Sequence, residues 1–507
     1  MSRINTNINS LIAQRILGQN NASLTKTLER LSTGFRINRG ADDPAGLIAS
    51  EKLRNEKAGI SAALGNAQRA EQIVNIAEGG LLEVSSLLTE IQSLVGQSAS
   101  DAGLSTEEKE ANQQQIDSIL QSIDRIASTT SFQGSKLLNG KFDFDVTGVS
   151  STVNDFEIRG AAIDGASVQV NAIVTGSAQH AGLFLSTGGT LDFNGATDEP
   201  TERLVFELAG SKGSKEFSFA SGTTLATVVS SINTFKSVTG VSAATLGTGV
   251  VFKSDEFGTE QSVSLNIKDD GQLTGFVVTL SSTNENTVSS VAGNRTALAS
   301  VTAAVKDTGQ DVGAIVNGIS ARGRGRSLSV NSDALNLEIE LTNTGAQTVG
   351  AVGGASGALT ITGGGAKFNI GPTIDVGNQV RLGIGNVAAR NLGSKALGFL
   401  SDLGSGSTNN LIDGDLEGAQ NIVSQAVDEV SGLRGRLGAF QTFTVGSTIN
   451  ALSVALENTS AAESAIRDTD FAAETANLTR AQILVAAGNQ VLSLANAQPQ
   501  NVLSLLQ

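Results

Sequence analysis

The chain has 507 residues but no cysteine, no tryptophan and no tyrosine, with one histidine, one methionine and four prolines. Without cysteine it can form no disulfide, thiol nucleophile, Cys-ligated zinc site or iron–sulfur site. A lone histidine, His180, excludes multi-His metal sites and leaves a Ser-His-Asp arrangement only if that residue is the base. Positive charge is also short: 34 Lys and Arg stand against 49 Asp and Glu, a net −15 that argues against nucleic acid as a partner. No run reaches the ~18 apolar residues of a membrane span, so no membrane insertion is expected. The first eleven residues lack the apolar core and small-residue cleavage site of a secretory signal. That blank suits a cytoplasmic protein, or one exported by a route that uses no such signal. Most of the usual catalytic side chains are missing, and neither a cofactor nor an enzymatic activity is expected.

What is present is strong helical periodicity at both ends. Eleven of the 58 glycines lie in residues 1–139 and seven in 409–507, leaving 40 for the middle. The ends therefore read as helix and the middle as strands and turns. From Ile60 the positions Ala63, Ala67, Ala70, Val74, Ala77, Leu81, Val84, Leu88, Ile91 and Val95 follow at steps of three and four. That heptad seam runs roughly 54 Å, and one helix cannot bury it alone. Gly79-Gly80 interrupts it, so packing must override their helix cost or the helix must bend there. Asp43 suits an N-cap and Pro44 the first helical position. Before them Ile4, Ile8, Leu11, Ile12, Leu24, Leu28, Leu31 and Phe35 give a first amphipathic helix stopped near Gly34. A third helix opens with the capping box Ser105 to Glu108 and carries Ile116, Ile119, Ile123 and Ile126 on one face. Glutamines 113–115 are expected to face solvent.

Toward the C-terminus a second stripe comprises Leu416, Ala419, Val423, Ala426, Val430, Leu433, Leu437 and Phe440, continued by Val445, Ile449, Leu452 and Leu456. A last helix holds Leu478, Ile483, Leu484, Val491, Leu492 and Leu494, and Pro499 is expected to end or kink it. The final stretch with Leu503 and Leu506 is apolar. Long seams at both ends, with a β-rich insertion between them, imply that the ends pair. Residues 1–60 carry nine basic and five acidic groups, and 460–507 two and four, signs compatible with that pairing. In the middle, residues 203–267 read as β-β-α-β-β-β and 311–341 as strands around Gly-rich turns, while 281–310 is ambiguous.

Candidate chemistry is sparse. Gly383-Ile-Gly385-Asn-Val-Ala388 has dinucleotide-fingerprint spacing, but its glycines interrupt a strand pattern and read as turn or strand glycines. Arg322, Arg324 and Arg326 alternate with glycine but have no interleaved aromatics, so they read as a solvated hairpin. His180 lacks metal-spaced neighbours and reads as a surface or turn residue. Asp413-Gly414-Asp415 lacks the calcium-loop pattern and reads as a turn before a helix.

Several blocks together resemble bacterial flagellin. At the N-terminus these are Ile4 to Asn7, Leu31 to Gly34, Arg36 to Asn38 and Asp42-Asp43-Pro44-Ala45-Gly46. Asp124 to Ile126, Phe132 to Gly134 and Leu137-Leu138 follow. At the C-terminus they are Ile466 to Ala472, Arg480 to Leu484 and Pro499 to Leu506. The likeness covers roughly residues 1–140 and 395–507. Residues 203–267 resemble a small repeat of flagellins and hook-associated proteins, and 311–341 more loosely resemble inserted flagellin domains.

The resemblance implies a fold mainly α at the two chain ends, as a long paired coiled-coil rod, with an inserted β-rich α+β middle of two or more small outer domains. Residues 1–43 and 461–507 would supply inner-tube helices, 44–140 and 399–460 the rod, and 141–398 the outer domains. It implies a secreted, structural, self-assembling filament subunit. Its partners would be identical subunits, an export chaperone at the C-terminal helix, the filament cap and hook-junction proteins. Ile60, Ala67, Val74, Leu81, Val84, Leu88, Ile91, Val95, Ile116, Ile123, Val430, Leu433, Leu437 and Phe440 would serve the seams and subunit packing. Ile4, Ile8, Leu11, Leu24, Leu28, Leu31, Ile483, Leu484, Val491, Leu492, Leu503 and Leu506 would serve the inner tube. Flagellins recognised by the animal innate Toll-like flagellin receptor present an arginine, a leucine four positions on, and a glutamate on the next helix. The matching positions here are Glu90, Leu94 and Gln115, a degraded epitope. A hook–filament junction protein of the same family is the nearest alternative. A secreted enzyme is a remote one, because a zinc-protease insertion needs a His-Glu-x-x-His helix.

Overall fold

A computed structural model describes residues 7–100, 103–163, 167–189, 191, 203–271, 273–281, 284–288, 295–301, 303–332 and 334–504. Among them are helices α1 (Ile8–Thr33), α2 (Pro44–Ser98), α3 (Thr106–Thr129), α4 (Leu225–Thr234), α5 (Lys236–Thr239), α6 (Asn343–Gln347), α7 (Leu416–Ala439), α8 (Ser447–Arg467) and α9 (Phe471–Ser504). Local sequence explains their limits. Gly34 takes φ +75°, the left-handed C-cap of α1. Asp43 accepts the Gly46 N–H at 2.9 Å and so caps α2. Ser105 and Glu108 close the expected capping box of α3. Pro499 does not end α9, which continues to Ser504. Ile4 and Leu506, and the side chain of Leu503, lie outside what is described.

The chain divides into two compact units. The first holds residues 1–72, 368–379 and 439–507. In it α1 pairs antiparallel with α9: Asn7 Nδ2 donates to Ala495 O at 2.7 Å and Asn20 Nδ2 to Leu484 O at 3.4 Å. Ile60 and Ala63 of α2 pack on Leu452 of α8. Lys57–Glu463 (3.2 Å) and Arg467–Glu51 (3.4 Å) set the same antiparallel direction. Between α7 and α8, residues Phe440–Gly446 form a π-helical turn.

The second unit holds residues 73–367 and 380–438. Its helical part buries the stripes of α2, α3 and α7, and Arg434 Nε meets Glu78 at 2.9 Å to join α7 to α2. Its β part is nested. A seven-stranded antiparallel sheet runs in the order 350–351, 172–176, 313–316, 319–324, 327–331, 335–341, 153–161. The excursion 180–308 leaves this sheet and returns to it. That excursion holds the β-β-α-β-β-β run with α4, two further sheets, and a separate core around Phe206, Phe252, Ile232 and Leu265. Gln179 and Gln310 exchange both backbone hydrogen bonds at 2.9 Å where the chain leaves and re-enters. The ambiguous stretch after Ser281 includes strands Asn284–Val288, Arg295–Ala297 and Val305–Thr308. The Arg322–Arg326 region is a hairpin as read, but Arg326 is half-buried and bonds Glu340 at 2.6 Å. His180 begins a strand rather than a turn, its ring centroid 3.7 Å from that of Phe257.

The glycine pair in α2 resolves in favour of packing, because the helix is continuous through it. A Cβ on Gly80 would sit 2.8 Å from Leu138 Cδ1 and 3.0 Å from Thr130 Oγ1, whereas nothing lies within 4 Å at Gly79. Gly80 thus admits the segment after α3, and Leu138 is fully buried and cannot yield. We expect Gly79→Ala to stabilise the protein by up to about 1 kcal/mol and Gly80→Ala to destabilise it, compared in urea melts. The same sign for both would contradict this account.

Candidate functional site

The segment between α1 and α2 shows why its residue types are needed. Asp42 accepts the backbone N–H of Asn38 (3.2 Å) and Arg39 (3.1 Å) and pairs with Lys26 at 2.8 Å. The hydrogen bond from Lys26, with those two N–H donors, holds its carboxyl down to about 2. A Cβ on Gly46 would press on Ile37 and on the capping Asp43 carboxylate, so that position needs glycine. Across the unit, Arg36 N donates to Arg467 O at 2.7 Å and Thr469 N to Gly34 O at 2.9 Å. The Arg467 guanidinium lies 4.7 Å from the Phe35 ring centroid. The α1–α2 and α8–α9 corners are thereby clasped together.

Beyond the clasp, α1 and α9 are arranged unusually. The side chains buried between them are small or polar: Ser10, Ala13, Thr27, Ala481 and Ala495, with Glu474. Ser10 Oγ donates to Asn496 Oδ1 at 2.7 Å. The large apolar groups point away. Ile8, Leu11, Leu28, Ile483, Leu484 and Val491 are exposed, with Ile12, Ile16 and Leu494, while Leu24, Leu31 and Leu492 are half-buried. Leu11 is 57% exposed and Leu494 66%. A lone surface leucine means little, but these nine large apolar residues are exposed on two paired helices.

The seam residues differ. Ile60, Ala67, Val74, Leu81, Val84, Leu88, Ile91, Val95, Ile116, Ile123, Val430, Leu433, Leu437 and Phe440 are all buried within the single chain. Glu90 and Gln115 are exposed on α2 and α3, and Leu94 is buried. Gln113 corrects the expectation that the glutamine run faces water. It is 1% exposed, its Nε2 donates to Leu403 O and its Oε1 accepts Leu411 N–H, both at 2.8 Å. The signal was present, since position 113 lies three before Ile116 on the buried stripe. This amide holds the loop before α7 against α3.

Periodicity gave no hint of a cleft of about 780 Å³ between α7 and the larger sheet. Asp143, Asp155, Glu157, Glu338, Glu340, Asp428 and Glu429 line it, with Arg159 and Arg436. Arg436 meets Glu157 at 2.9 Å. Burial pushes Glu429 up to about 7, despite hydrogen bonds from Gly393 N–H and Gln425, and the charges of Asp155 and Glu157 add to the rise. Burial also raises Asp143 and Asp155. The folded protein therefore binds this proton more tightly than the unfolded chain. Glu429 contributes stability that is complete below about 4.5, its ordinary value, and lost as pH rises through about 7. Glu429→Gln should flatten the dependence of Tm on pH between 5 and 8 and raise Tm above pH 7. An unchanged slope would count against it.

Comparison with known proteins agrees with this architecture. The family model for the bacterial flagellin N-terminal helical region matches residues 4–143, and that for the C-terminal helical region matches 420–506. The flagellin hook IN motif matches 203–255. Flagellin B of Helicobacter pylori (strain ATCC 700392 / 26695) is 30% identical, across 100% of this chain and 99% of that protein. The B-type flagellin of Pseudomonas aeruginosa is 29% identical across 99% of each. The flagellin of Aquifex aeolicus is 27% identical across 100% of each. With likeness along its whole length, the chain belongs to the bacterial flagellins, structural subunits of the flagellar filament.

Proposed function

We propose that α1 and α9 form the inner layer of a filament made of identical copies of this chain, and that the buried seams of α2, α3, α7 and α8 form the rod that carries them. The supporting observation is the outward display of Ile8, Leu11, Ile483, Leu484, Val491 and Leu494 from a helix pair joined through alanine, serine and threonine. One copy leaves this apolar surface in water, and many copies cover it. The subunit leaves the cell by the flagellar export apparatus. An export chaperone covers the C-terminal helix beforehand, and the cap and hook-junction proteins contact the ends of the filament. The role is structural rather than catalytic.

The test is seeded polymerisation of purified protein. Leu11→Asp with Leu494→Asp, both at exposed positions, should leave the monomer folded and raise the critical concentration roughly 100-fold or more, about 2.7 kcal/mol. Sedimentation measures it, and an unaltered critical concentration would remove the terminal helices from the interface.

We further propose that this subunit activates the innate flagellin receptor weakly. A carboxylate at Glu90 cannot make the forked hydrogen bonds of an arginine, Gln115 lacks a charge, and Leu94 is withdrawn into the core. Glu90→Arg with Gln115→Glu should raise potency in a receptor-reporter assay. Parent potency equal to that of a strong activator would refute the reading.

A further inference from the structure

The buried stripe of α7 keeps heptad spacing up to Leu437 and Phe440, but the next buried residue is Val445, five positions on rather than four. One extra residue has to be absorbed there. The π-helical turn Phe440–Gly446 absorbs it, because an i→i+5 turn takes up one more residue than an α turn. Phe440 stays buried, its ring centroid 5.7 Å from that of Phe368, and Val445 returns to the core. Phe443 is extruded and is 75% exposed. Eleven positions on, close to three helical turns, Val454 is 57% exposed. Ser447 and Ala451 are exposed between them. The surrounding twenty residues, 437–456, contain no charged side chain.

A solvent-facing helix is ordinarily charged on its outer face, and a chain of net −15 repels its own copies at a distance. An uncharged strip with a projecting phenylalanine is where two such copies meet without juxtaposing like charges. We propose that the π turn exists to present Phe443, with Val454, as a contact to a second copy of this chain. This rests on the filament role above and adds to it a contact separate from the terminal helices. The one-residue insertion gives the helix an outward aromatic while preserving the seam on its inner side.

The absence of cysteine makes the test direct, since Phe443→Cys carries the protein's single thiol. Its maleimide reactivity should fall at least tenfold between monomer and filament, while Ser221→Cys on the excursion stays equally reactive. Deleting Phe443 restores four-residue spacing between Phe440 and Val445. It should leave the monomer's Tm unchanged or higher and raise the critical concentration roughly tenfold or more. If that deletion unfolds the monomer, Phe443→Ser, at an exposed position, takes its place with the same expectation. Filaments in which the thiol at 443 stays fully reactive, or an unchanged critical concentration for the tested variant, would overturn the contact and leave the filament role standing. Failure of the unsubstituted protein to polymerise on seeds would overturn that role and the contact with it.

Discussion

The apolar seam of α2 is the constraint from which the rest follows. A helix of 55 residues presents a continuous stripe that it cannot cover itself, and no single short element could cover it. α3 follows α2 directly, but the rest of the covering comes from far along the chain, α8 against the first half of α2 and α7 beside it in the second unit. Because the partners lie at opposite ends of the sequence, whatever separates them must leave and return. The middle is therefore an insertion by necessity, and the sheets obey the same rule. The 180–308 excursion is inserted into the seven-stranded sheet, with exit and re-entry stitched at Gln179 and Gln310.

Polarity is divided on the same principle. Where the chain can bury large side chains by itself, as with Leu81, Leu88, Ile91, Ile116 and Ile123, it does so completely. Where two helices meet without a third, in α1 and α9, the fully buried side chains are mostly alanine, serine and threonine, and many of the large apolar ones are exposed. A two-helix pair has one inward stripe per helix and no interior beyond it. Small residues fill much of that stripe, and many of the leucines and isoleucines are left exposed. Phe443 follows the same division at one position, where an extra residue in the heptad keeps the core intact and sends an aromatic out.

Charge is handled locally. Arg30 approaches Glu474 at 3.9 Å, and Lys57 and Arg467 reach Glu463 and Glu51, so the opposite signs of the two ends do meet. These pairs are partly exposed and contribute little energy each. The cleft beside α7 is the contrary case, where burial raises Glu429, Asp143 and Asp155 above their ordinary values.

Periodicity and punctuation were enough to read the terminal helices, their caps at Asp43 and Ser105, the stop at Gly34 and the β-β-α-β-β-β run, because each rests on residues close in sequence, and the length of the two uncovered seams implied that the ends pair. Gln113 lies on the buried stripe of α3, but the partners it finds there, and the settings of Pro499, His180 and Glu429, were not legible in this way. Pro499 lies within α9, which runs on to Ser504. Gln113 is buried because a loop 290 residues away offers one carbonyl and one N–H to its amide. His180 packs against Phe257 because strands distant in sequence pair there. Burial pushes Glu429 up to about 7 because segments distant in sequence, among them the one bearing Gly393, close around it. Local pattern sets which face of an element is apolar. What covers that face, and which polar groups are caught beneath the cover, depends on segments that only folding brings together.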